Sequence, residues 1–83
     1  MAEADLFTPK PDLKPGRYRH YKGNDYEVID VACHSETHEW HVVYRRLYDL
    51  EGPELWIRPY DMFVEDVVVE GATMPRFEYI GTV

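Results

Sequence analysis

Apolar residues in this chain come in short runs cut off by glycine, proline or a polar turn, and none sustains a helical period. A chain punctuated in this way buries its apolar side chains on strands, where alternate residues face one side. Arg17 to Tyr21 reads as a first strand and Gly23-Asn24 as the turn after it. Asp25 to Cys33 follows, rich in Tyr, Val and Ile, but Tyr26 and Val28 fall on one face while Ile29 and Val31 fall on the other. Either both faces of that strand are covered or a bulge near Ile29 resets its alternation. His34 to His38 is a polar connection into Glu39 to Tyr48, whose Trp40, Val42 and Tyr44 form the core face. Beyond the Gly52-Pro53 loop, Leu55 to Arg58 is a short strand stopped by Pro59. Tyr60 to Phe63 suits one tight helical turn, with Met62 and Phe63 capping the core. Val67 to Val69, a turn at Gly71 and a strand from Phe77 to Ile80 complete the pattern. The expected fold is all-β, a small barrel or roll of five or six short antiparallel strands with one short helical turn. Trp40, Tyr44, Trp56 and Phe63 are expected to be mostly buried in it.

Residues 1–15 read as an extended arm, because Pro9, Pro11 and Pro15 remove backbone donors and bias their predecessors away from helix. Leu6 and Phe7 are the arm residues able to dock on the body. The remainder, 16–83, has room for a single domain, and its core must come from large side chains. The 7 Tyr, 3 Phe and 2 Trp supply them. A net charge of −7 sets the whole against phosphate backbones and anionic membranes. Lys10, Lys14, Arg17, Arg19 and Lys22 nevertheless cluster with only Asp12 opposing them, a basic edge on an acidic body. Cys33 is the 1 cysteine, so no internal disulfide can form. The opening Met1-Ala2-Glu3-Ala4-Asp5 lacks the basic start of a signal peptide, and no apolar run approaches a membrane span. A reducing, cytoplasmic location is the expectation.

Several short stretches carry a resemblance: Arg19-His20-Tyr21-Lys22-Gly23-Asn24, Tyr26-Glu27-Val28, His34-Ser35-Glu36-Thr37, Val42-Val43-Tyr44, Leu55-Trp56, Arg58-Pro59, Met62-Phe63 and Pro75-Arg76-Phe77. In that order they closely resemble a family of short bacterial proteins known as domain of unknown function 1653. The likeness runs from about Gly16 to Gly81 and leaves out residues up to Pro15 and the Asp49 to Glu54 loop. It implies an SH3-like barrel or roll, and it brings no activity, cofactor or catalytic residue with it.

His34, His38 and His41 stand near Glu36 and Glu39, all zinc-ligand types. The stretch His38-Glu39-Trp40-His41 is one residue short of the zinc-protease helix motif, and on a strand His38 and His41 point apart, so no metal is expected. Cys33 and His34 point apart for the same reason, and Cys33 is expected to be a small buried side chain. Ser35 lacks the glycines of a nucleophile elbow, and the scattered glycines make no phosphate-cradling loop. No cofactor is implied. Arg17 to Lys22 interleaves basic and aromatic residues like a single-strand nucleic-acid platform. Ordinary strand alternation, with Tyr18 and His20 on one side and Arg19 and Tyr21 on the other, explains the same residues, and the net charge disfavours nucleic acid.

One group remains as the candidate binding set: His20, Tyr21, Lys22, His34, Ser35, Glu36, Thr37 and Arg58. These donors and acceptors sit at strand ends and turns, where recognition residues concentrate. The bland alternative is turn chemistry at Ser35 and Thr37, and an ion pair at Arg58 with Glu36, Glu39 or Asp61. The preferred expectation is a non-catalytic module engaging a protein partner or small polar ligand through the His34 to Thr37 loop and Arg58, placed on one end of the fold. A small enzyme using a His34/Glu36 acid–base pair is the alternative from another class, and a weak nucleic-acid binder using the basic strand is a third. No motif fixes the oligomeric state.

Overall fold

The computed structural model describes residues 8–83, so Leu6 and Phe7 lie outside the described residues. Seven strands and one helical turn follow in order: β1 (Gly16–His20), β2 (Asp25–Cys33), β3 (Trp40–Arg46), β4 (Leu55–Pro59), α1 (Tyr60–Val64), β5 (Asp66–Val69), β6 (Ala72–Pro75) and β7 (Phe77–Gly81). The main sheet is five-stranded and antiparallel in the order β4-β3-β2-β1-β7, and β5 and β6 form a separate hairpin. The all-β expectation holds. The barrel does not close, because β4 and β7 remain the two edges of an open sheet. The count also exceeds five or six: Ala72–Pro75, apolar-poor and ending in proline, is a strand. Its hairpin turns through Glu70 and Gly71, both at positive φ, the backbone that two-residue turns between twisted strands require.

The irregular alternation of β2 is a bulge. Register against β3 shifts between Val28 and Asp30, so Val28 and Val31 both turn inward while Ile29 is exposed. From there the core is assembled by pairing. Tyr18, Val28, Val31, Val42, Tyr44, Phe63 and Phe77 are its buried members. Phe63 and Phe77 stack face to face, centroids 4.1 Å apart, and Tyr18 and Tyr44 meet Phe63 edge-on at 5.6 and 5.5 Å. Such offset and T-shaped contacts add to the area they bury.

Three burial expectations need correction. Trp56 pairs with buried Tyr44 but is 40% exposed, because β4 is an edge strand with no element beyond it. Met62 is 47% exposed: one turn of helix can aim only one of two adjacent side chains inward, and that one is Phe63, 1% exposed. Cys33 is half-buried, not buried, since it stands where the β2–β3 ladder ends. Trp40 is also half-buried, packed against the core from its rim. Truncating Phe63→Ala should therefore cost about 3–5 kcal/mol in urea denaturation. The neighbouring Met62→Ala should stay within about 0.5 kcal/mol of wild type in the same measurement.

Candidate functional site

The His34 to Thr37 segment closes on itself. His34 N–H donates to Glu39 O at 2.8 Å, and His38 N–H donates back to His34 O at 2.8 Å. His34 Nδ1 accepts the N–H groups of Glu36 and Thr37 at 3.1 and 3.2 Å, and Thr37 Oγ1 accepts from Glu39 N–H at 3.2 Å. His38 takes the left-handed backbone, φ 62°, that lets the chain re-enter β3. These are the local side-chain bonds that build turns. Ser35 and the Glu36 carboxylate make no hydrogen bond or ion pair among the described residues. His41 lies beside this turn, its ring 5.7 Å from that of His34 and its Nε2 3.6 Å from Glu39 Oε1. Among the described residues no group of three or more His, Cys, Asp or Glu side chains is placed to hold a metal ion.

A second cluster forms at the other members of the set. Strand alternation turns Tyr18 and His20 inward, and His20 pairs across the ladder with Phe77. The His20 ring meets Phe77 at 4.9 Å, Tyr26 at 6.5 Å and Tyr21 at 4.5 Å, and its Nδ1 accepts Lys22 N–H at 3.2 Å. Arg58 pairs with Val42, so it shares the core-facing side of the sheet. Its side chain runs back across that side until Cζ lies 5.3 Å over the Phe77 ring. Lys22 Nζ stands 5.8 Å over the Tyr21 ring. Burial, then the positive charges of Arg58, Arg76 and Lys22, hold the His20 imidazole below its usual range. Tyr26 forms the floor beside it, its hydroxyl 2.8 Å from that of Tyr48, and burial followed by this bond raises its phenol above the ordinary value. A cavity of about 210 Å³ between the β1–β2 turn and β6 adjoins His20 and Tyr21.

Thus His20, Tyr21, Lys22 and Arg58 come together, whereas no hydrogen bond, ion pair or ring contact among the described residues joins the His34 to Thr37 turn to Arg58. The sequence reading missed Phe77, Tyr26 and Arg76. Alternation alone marks His20 and Tyr26 as inward, but nothing local reveals that Phe77 is the partner strand's residue opposite His20.

The other arginines are committed. Arg17 and Arg19 both hold Asp25, at 2.7 and 2.8 Å, and their hydrogen bonds, that of Arg19 foremost, keep its carboxyl below the usual carboxylate range. Arg45 lies 3.5 Å from Glu27, and Arg76 lies 2.6 Å from Glu65. Arg46 donates to the carbonyls of Tyr48, Gly52 and Pro53. Arg58 meets no such oxygen among the described residues, so neither Glu36, Glu39 nor Asp61 pairs with it.

These features define a class: a small β protein, an open sheet around an aromatic core, with the half-buried Arg58 lying over the Phe77 ring. The chain belongs to the family described as "Protein of unknown function (DUF1653)", whose pattern matches residues 16–79. It is similar to a protein of that family from Bordetella bronchiseptica solved by crystallography, at 42% identity and a TM-score of 0.83. The likeness covers 87% of this chain and 92% of that one. No curated protein matches the chain. No described helix is long and apolar enough to cross a membrane.

The Arg58 charge disfavours a proton on His20, so Arg58→Gln should raise the His20 pKa towards its ordinary value of about 6.5. Between the lowered folded value and the unfolded one, the folded state binds fewer protons, so stability falls as pH drops through that window. The substitution should shrink that loss. Imidazole chemical shifts followed against pH, with parallel urea melts, check both outcomes.

Proposed function

We propose that this protein is a bacterial, cytosolic, non-catalytic binding module that takes an anionic group, carboxylate or phosphate, on Arg58 and His20. The observation that carries the reading is the Arg58 guanidinium, half-buried over Phe77 and without an oxygen partner among the described residues. A guanidinium fork is suited to planar two-point contact with such oxygens. The aromatic ring beneath stabilises the cation by about 0.5–2 kcal/mol and does not compete for its N–H groups. Lys22 and Arg76 add positive charge nearby, and their effect on His20 is repulsive until an anion arrives. An enzyme working through His34 and Glu36 is less well supported, since His34 Nδ1 is occupied in closing its own turn.

The test is a titration of the full chain with inorganic phosphate, glutarate and a glutamate-containing peptide, following the Arg58 Nε–H resonance. At least one of these anions should shift that resonance saturably and raise the His20 pKa. Arg58→Lys should weaken the binding about tenfold, the scale of a lost charge-assisted bond, while the melting temperature stays nearly constant. If no anion moves the resonance, or if Arg58→Lys unfolds the protein while binding per folded molecule is unchanged, Arg58 is a packing residue and the reading fails.

A further inference from the structure

We propose that a second site, the groove between the start of β3 and α1, binds proline-rich segments bearing a basic residue, and that the arm of this chain occupies it as an intramolecular ligand. The groove wall is aromatic and acidic: Trp40 and Tyr60, with Glu39 and Asp61. Thr8, Pro9 and Pro11 lie against that wall. Trp40 Nε1–H donates to both the carbonyl and the hydroxyl oxygen of Thr8, at 3.2 and 3.1 Å. Further along, Lys10 Nζ reaches Asp30 at 3.0 Å, Tyr18 hydroxyl donates to Lys14 O at 2.7 Å, and Lys14 Nζ lies 4.6 Å over the Tyr79 ring. Leu13 packs against the core.

Residues 8–15 form no strand or helix, so the arm joins no ladder. It is held through its carbonyls and basic side chains, by an indole, a phenol and a carboxylate of the body. That is how a chain poor in backbone donors is recognised: an extended proline segment offers carbonyls and rigid rings to an aromatic groove, at low cost in ordering. Glu39 and Asp61 give the wall a charge that suits a ligand carrying Lys or Arg, although the arm's own Lys10 turns to Asp30 and its Lys14 to the Tyr79 ring.

Two further facts separate the groove from its occupant. Trp40, Tyr60, Glu39 and Asp61 lie inside the stretch matched by the family pattern, residues 16–79, and the arm lies before it. A cavity of about 380 Å³ also remains between arm and wall, so the arm does not fill the groove. A tethered ligand works at an effective concentration of about millimolar, so a weak intrinsic contact suffices to keep the groove covered, and a second proline-rich segment must compete with it. No residue of the Arg58 cluster lines this groove, and either site can fail without the other.

The experiment uses the full chain carrying Pro9→Gly, Lys10→Glu and Pro11→Gly, with the Trp40 Nε1–H resonance as readout, assigned against a Trp56→Phe variant. The probe is a synthetic peptide with the sequence of residues 8–16. Weakening the arm should move the Trp40 resonance, and the peptide should return it saturably towards the wild-type position. Wild type should need at least ten times more peptide, and a peptide with all three prolines replaced by alanine should bind the variant at least tenfold more weakly. A folded variant whose Trp40 resonance ignores the peptide, or that binds the proline-free peptide equally well, overturns the proposal. Should the variant not melt cooperatively, isotope-labelled wild type decides: excess unlabelled peptide must drive the Lys10 and Leu13 amide resonances to random-coil positions, and their failure to move overturns it equally.

Discussion

The stack of Phe63 on Phe77 is the contact on which the rest of this small protein depends. One ring comes from a single helical turn and the other from the last strand, and they lie parallel at 4.1 Å inside the curve of the sheet. Without closure into a barrel, the open sheet needs something to cover its core-facing side, and α1 does so with Phe63, its one buried residue, helped by Tyr60, which packs against the core. Phe77 carries the contact on to Tyr26, Tyr44 and His20, so the edge strand β7 is tied to three inner strands by rings as well as by its ladder with β1. The same ring supports Arg58, which makes the candidate site a consequence of the core and not an addition to it.

What could be read from the residues follows from how local each signal is. The break in alternation at Ile29 is visible within one strand, and it is a bulge. Pro59 ending β4 and starting a helical turn is likewise a local restriction on φ and on the missing N–H. Trp56 and Met62 misled because size and hydrophobicity say how much a side chain gains by burial, while position in the sheet decides whether any surface is there to bury it. Strand order is not encoded in a single strand, so the edge status of β4 could not be inferred. The β6 strand escaped because Ala72 to Pro75 has neither alternation nor β-branched density, and its pairing depends on the turn at Glu70-Gly71.

The two histidine clusters show why residue type alone underdetermines chemistry. His34 and His20 each accept backbone N–H groups at Nδ1. At His34 the bonds from Glu36 and Thr37 engage Nδ1 in closing a turn, so the local reading of Ser35 and Thr37 as turn formers extends to the histidine. At His20 the ring is carried inward by strand alternation and set among aromatic faces and three cations. The second arrangement leaves a ring whose protonation responds to a visiting charge, since nearby cations already lower its pKa. Arg58 belongs with it because a long side chain can cross the concave face, a reach that no pairing register discloses.

The division of arginines also bears on what could bind where. A phosphate backbone arriving at β1 would have to draw Arg17 and Arg19 away from Asp25, giving up their charge-assisted hydrogen bonds before any new contact forms. Such an exchange leaves Asp25 facing the incoming phosphates, which repel it. An anion arriving at Arg58 faces neither cost, since the cation keeps its contact with Phe77 and no carboxylate among the described residues must be released. In an acidic protein the selective advantage of a site therefore lies less in how many basic residues stand near it than in how few of them are already engaged. By that measure the basic stretch that dominates the sequence is the weaker candidate, and the isolated arginine at the end of β4 is the stronger.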